Sequence, residues 1–245
     1  MLNRAQLKQE AKGVVRSARV SAYLMTLIFL VITYVLNAID IYAGNDVGKY
    51  LAEFFPELDL PAAMTVSHFS TPVVVFVGVM VWLLNIVLSG GWTIYHLGIR
   101  RGHEMGYGTL FDGFSIVGKL ILATLAVTAI VTLGTVLLIF PGLIFAYMYR
   151  FTIYNICENP SLGVIQAMRM SRLQTYRHKM DLFVLDLSFW GWGILISLTM
   201  GILSIWIRPY MEQTNIGYFI ALKRASGVGA FPDAGNEGPN PGSVF

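Results

Sequence analysis

An all-α, polytopic transmembrane helix bundle is the architecture this chain encodes, and three observations point to it. Only 13% of its 245 residues are charged, against about 25% in an ordinary soluble domain, and the mean hydropathy is +0.63. Four stretches contain no Asp, Glu, Lys or Arg: Val20–Ile39, Phe69–Ile99, Leu120–Tyr149 and Leu187–Ile207, of 20, 31, 30 and 21 residues. About 20 apolar residues cross a bilayer core as a helix, so each stretch is long enough. The remaining charges sort by sign along the chain, as topology requires. A β-barrel would show alternating segments of ~10 residues, and these stretches do not alternate. The single cysteine, Cys157, excludes a disulfide scaffold.

The elements follow in order. One integral-membrane domain occupies 1–224, with spans at about 18–39, 72–99, 119–139, 143–158, 181–206 and 209–224. The third and fourth come from one apolar run interrupted by Phe140-Pro141-Gly142. Proline removes a helix hydrogen bond and glycine tolerates unusual dihedrals, so Pro141 and Gly142 mark a tight hairpin. A single kinked helix is the alternative, but the run continues to Cys157, too far for one span. The sixth span is short and carries Glu212, Gln213, Thr214 and Asn215, so it inserts only when packed inside the bundle. Residues 225–245 are rich in Gly, Pro, Ser and Asn and read as a disordered tail.

Amphipathic helices flank the spans. Arg4, Lys8, Lys12 and Arg16 recur every four residues beside Leu7, Ala11, Val14 and Ala18, a pattern suited to an anionic leaflet. Ser161–Lys179 is a second such helix, with Val164, Ala167 and Met168 opposite Arg169 and Arg172. Val47, Leu51, Phe54 and Phe55 form a short interfacial face before Pro56.

Charge sets the orientation. Basic residues fill the N-terminal segment, Arg100-Arg101, Lys119, the 169–179 segment and Lys223-Arg224, whereas 40–71 carries Asp40, Asp46, Glu53, Glu57 and Asp59 against Lys49. Six spans place every basic segment on one side, which predicts a plasma-membrane protein with both termini cytoplasmic. The net charge of +3 is then a topology signal, and no base-reading pattern points to nucleic acid.

Two charges fall within spans. Arg150 lies eight residues before Glu158, ~12 Å deep, and Asp186 lies about six residues past Met180, ~9 Å deep. Matching depth predicts an intramembrane Arg150–Asp186 pair. Snorkelling of Arg150 to the surface is the alternative. Arg208 and Glu212, four apart on a helix, form a candidate outer ion pair.

The order Arg4, Leu7-Lys8, Ala11-Lys12, then Pro141-Gly142, Ala167…Ser171, Leu187-Ser188-Phe189-Trp190-Gly191-Trp192 and Pro209-Tyr210…Thr214…Tyr218-Phe219…Leu222 resembles the integral-membrane family known as domain of unknown function 975. More loosely, Pro-Gly, an acid such as Glu158, then Ala…Ser-Arg is similar to the membrane domain of some glycerophosphodiester phosphodiesterases. Thr175-Tyr176 stands where the family usually has Lys-Gly, and Tyr218-Phe219 where Phe-Tyr is frequent. The resemblance implies a multi-span bacterial membrane protein and supplies no activity.

No catalytic constellation is visible. His68, His96, His103 and His178 are scattered, His103-Glu104 lacks the second histidine of a zinc-protease helix, and no glycine loop leads into a lysine and Ser or Thr. The expectation is a non-enzymatic membrane module without cofactor, whose partners are the bilayer, its anionic inner-leaflet lipids and a possible protein. The alternative is a small transporter or permease component handling a lipid-like or small-molecule substrate.

Overall fold

The computed structural model describes residues 4–18, 20–44 and 69–228. The acidic stretch of the 40–71 loop, the face of Val47, Leu51, Phe54 and Phe55, His68 and the tail from 229 lie outside the described residues. Among those described there are ten α-helices and no strand. They are α1 (Arg4–Ser17), α2 (Ala22–Gly44), α3 (Thr71–Arg100), α4 (Val117–Leu137), α5 (Ile139–Met148), α6 (Thr152–Glu158), α7 (Val164–Gln174), α8 (Lys179–Leu187), α9 (Trp190–Leu198) and α10 (Ser204–Ser226), with a 3₁₀ segment at Tyr107–Ile116.

Among the described residues four helical segments are long and apolar enough to cross a membrane: Ala22–Gly44, Thr71–Arg100, Tyr107–Leu137 and Lys179–Leu198. The sequence count of six is not reached by this measure. The segment expected at 143–158 is broken at Tyr149–Phe151 into α5 and α6. The sixth is a longer helix, Ser204–Ser226, but it carries Arg208, Glu212, Lys223 and Arg224. The fifth ends at Leu198 rather than 206, where Met200 and Gly201 turn the chain with φ of 51° and 86°.

The hairpin between α4 and α5 breaks at Leu138, which is extended (φ −161°, ψ 141°), not at Pro141-Gly142. Pro141 instead sits in the first turn of α5, where its missing N–H is not needed. Gly142 serves close approach: a Cβ there would lie 2.0 Å from Thr135 Oγ1. Gly134 meets it from α4, 3.1 Å from Gly142 Cα at its own added-Cβ position. Small residues let apolar helices approach in this way when water supplies no drive.

Burial divides the molecule. Along α3, Val75, Phe76, Val79 and Trp82 are exposed, whereas Val87 to Ile99 is almost wholly buried. The 3₁₀ segment runs back along that buried half. An added Cβ at Gly91 would meet the Leu110 carbonyl oxygen at 1.9 Å, and one at Gly113 the Val87 carbonyl oxygen at 2.1 Å. The glycine-rich stretch 102–108 therefore leads into a packed strap. Two buried clusters meet at this end, one around Tyr95, Met25 and Leu110, the other around Phe151, Leu182, Tyr218 and Phe219.

Helix α1 does not lie apart on a surface. It packs antiparallel to α10, with Leu7 near Gly217 and Lys12 over the Tyr210 ring, and it buries Ala11 and Val15. The basic segments meet in space at the same end. Arg100 pairs with Glu10 at 2.8 Å and Arg4 with Asp181 at 3.2 Å, while Arg101 and Lys223 both pair with Glu158 and Lys119 donates to the Pro160 carbonyl.

Candidate functional site

The break between α5 and α6 is held open by α7. Ser171 Oγ accepts from the Phe151 N–H at 3.1 Å and donates to the Met148 carbonyl at 2.9 Å, and Thr175 Oγ1 donates to that carbonyl at 3.2 Å. Asn155 and Gln174 exchange two amide hydrogen bonds of 3.0 Å, both buried. Ser171 and Thr175 thereby satisfy backbone that the broken helix frees. Helix α7 is therefore amphipathic in a specific sense: its inner face is polar and docks on a helix break.

Arg150 projects from that break. Its guanidinium donates to both oxygens of Asp186, at 2.5 and 2.8 Å, and to Asn215 Oδ1 at 3.1 Å. Tyr147 donates to Asp186 Oδ2 at 2.9 Å. Asp186 stands on α8 two residues before its own break at Ser188-Phe189. The two side chains keep 20% and 36% of their surface accessible, so the pair is only partly enclosed. A bidentate Arg–carboxylate pair fixes both groups in one plane.

A second set lies beside it. Tyr154 donates to Glu212 Oε1 at 3.0 Å, and Glu212 also engages Trp92. Arg208 is exposed, and no Arg208–Glu212 ion pair forms among the described residues. The i,i+4 rule fails here because α10 turns Glu212 toward α6 and α3, where tertiary partners replace the local one. Further along, Gln213 donates to the His96 carbonyl at 2.8 Å and contacts His96 Nδ1 at 3.0 Å. Both side chains are fully buried, and His96 Nε2 and Gln213 Oε1 have no partner among the described residues.

Arg150 sits in the break itself, between Tyr147 on α5 and Tyr154 on α6, so helical spacing alone does not bring the three together. Asn215, Trp92 and the His96–Gln213 contact have no sequence signal, because they depend on how α3 and α10 meet.

Two cavities flank the Arg150–Asp186 pair. One, of about 860 Å³, is an open groove lined by Asp186, Ser197 and otherwise apolar or aromatic residues that include Phe189, Trp190, Ile194 and Met211. The other, of about 360 Å³, opens on Arg150. Thr124, Thr128 and Thr132 face it in a row along α4. Each groove offers one charged group in an apolar wall, the pattern that suits an amphiphile. Among the described residues no group of three or more His, Cys, Asp or Glu could hold a metal ion.

Outside the spans, Lys8 donates to Ser188 Oγ at 2.7 Å and lies 4.6 Å over the Phe189 ring. Partial burial, with Lys12 and Arg4 nearby, holds its ammonium below the usual lysine value. Helix α1 thereby closes over the second break.

No curated protein and no solved structure matches the chain, so the looser likeness to the glycerophosphodiester phosphodiesterase membrane domain has no support there. One family model does match, over residues 73–226, which takes in α3 through α10 and every residue of the polar network. The chain belongs to the family described as protein of unknown function (DUF975).

Proposed function

We propose that this protein is a non-catalytic module of a bacterial plasma membrane, with both termini cytoplasmic, that takes up a lipid-like amphiphile beside the Arg150–Asp186 pair. One observation carries the reading: a partly accessible ion pair stands between two open grooves whose walls are otherwise apolar or hydroxylic. A hydrocarbon chain fits the larger groove along Trp190, Ile194 and Met211, and a hydrogen-bond-donating or cationic head meets Asp186. The sidedness follows from the basic segments gathered at one end of the bundle.

Native mass spectrometry of the full chain in mild detergent tests this. The wild type retains an adduct of lipid mass, and Asp186→Asn loses at least four-fifths of it. Equal retention in both, with Asp186→Asn folded, overturns the reading.

A transporter is the second reading. The breaks at Tyr149–Phe151 and Ser188-Phe189 coincide with the two charges, and interrupted helices are where transporters place their sites. Saturable uptake of the retained amphiphile in proteoliposomes would select it, and binding without flux would select the module.

A further inference from the structure

A further pocket lies on a different face of α9. A cavity of about 200 Å³ is lined by Lys12 and Arg16 of α1, Tyr23 of α2, Trp192 of α9, and Trp206 and Tyr210 of α10. From this geometry we infer that the pocket binds the phosphodiester head group of an anionic phospholipid.

Three features carry the inference. First, Arg4, Lys8, Lys12 and Arg16 form one stripe, yet their partners differ. Arg4 pairs with Asp181 and Lys8 bonds Ser188, whereas no carboxylate pairs with Lys12 or Arg16 among the described residues. The stripe is spent on the protein's own groups at one end and is open at the other. Second, the open end faces aromatic rings. Lys12 Nζ sits 5.6 Å over Tyr210, and Trp206 and Trp192 are 51% and 39% exposed. Rings with one polar edge stand at head-group level in membrane proteins. Two cations a helical turn apart beside such rings bind a compact anion through charge-assisted hydrogen bonds. Third, apolar surface adjoins the head-group site: Val15 and Ile207 complete the pocket wall, and Leu195, three residues past Trp192 on the same helix, is 45% exposed.

The site is independent of the groove beside Asp186, since Trp190, Ile194 and Ser197 line that groove and Trp192 lines this pocket. Loss of one leaves the other in place.

The test uses the full chain in neutral detergent, titrated with dihexanoyl phosphatidylglycerol or dihexanoyl phosphatidylcholine and read by native mass spectrometry. The wild type binds one phosphatidylglycerol at least five-fold more tightly than phosphatidylcholine. The double variant Lys12→Gln/Arg16→Gln, whose altered side chains are exposed, reduces that preference to below two-fold. Asp186→Asn leaves it unchanged. A third variant adds Gln9→Lys and Gly13→Lys to the double one. It restores the net charge at exposed sites, position 13 having open space beside it. The preference stays lost there if the pocket is the site. Recovery in that variant means diffuse attraction and overturns the inference. Displacement of phosphatidylglycerol by about 5 mM inorganic phosphate, an excess over a weak site of Kd about 1 mM, also overturns it, in favour of a free anion.

Discussion

Helix α3 is one continuous apolar helix with two different halves. From Val73 to Trp82 most side chains are exposed or half-buried, Val81 being buried, whereas from Val87 to Ile99 the helix is enclosed by the 3₁₀ segment, α2, α6 and α10. Residue size and polarity separate the halves: Gly90, Gly91, Thr93, Tyr95, His96 and Gly98 crowd the enclosed half, and Val and Phe dominate the bare one. In lipid, apolar surface gains nothing by leaving acyl chains, so helices associate through small residues and satisfied polar groups. The enclosed end is where the chain concentrates both, and the Arg150–Asp186 pair and its grooves border it.

Substitutions at the two ends should sharpen that contrast. The largest loss falls on Gly91→Val, whose new side chain would collide with the Leu110 backbone at 1.9 Å. Overpacking against immobile backbone costs about 3 kcal/mol or more, read as early loss of the folded form on heating in detergent. Next comes Arg150→Gln, which strands Asp186. Stranding a buried partner costs roughly 3–5 kcal/mol. Asp186 keeps 36% of its side chain accessible, so about 2 kcal/mol is expected. The swap Arg150→Asp/Asp186→Arg recovers most of that stability. A smaller effect, about 1–2 kcal/mol, attends Asn155→Ala, which leaves Gln174 buried without its partner. At the bare end Val75→Ala changes stability by less than about 0.5 kcal/mol, since the side chain is 59% exposed. A Val75→Ala loss as large as that of Gly91→Val would erase the division.

The membrane class and the helical content could be read from charge-free runs, because lipid demands length and apolarity of every span. Helices α2 and α3 begin and end within a few residues of the sequence expectation, apart from the extension of α2 to Gly44. What local rules could not reach was tertiary. Pro141-Gly142 correctly signals an interruption nearby, but proline is accommodated one turn into α5 and the chain reverses at Leu138. The break at Tyr149–Phe151 depends on Ser171 and Thr175, more than 20 residues away, and a single-residue window contains no trace of it. Counting along two spans places Arg150 and Asp186 at one depth. The structure adds Tyr147 and Asn215, which no count supplies. Glu212 shows the opposite limit: its helical neighbour Arg208 was the local choice, and Tyr154 displaced it.

The contrast within α3 is open to one direct measurement on the unmodified chain. Carbene labelling from a photoreactive lipid in vesicles, mapped residue by residue along α3, should mark Val75, Val79 and Trp82 and leave Leu88, Trp92 and Tyr95 unlabelled. Labelling of Leu88, Trp92 and Tyr95 as strong as that of Val75 would show acyl chains along the whole helix and contradict the packed, polar-bordered end on which the functional reading stands.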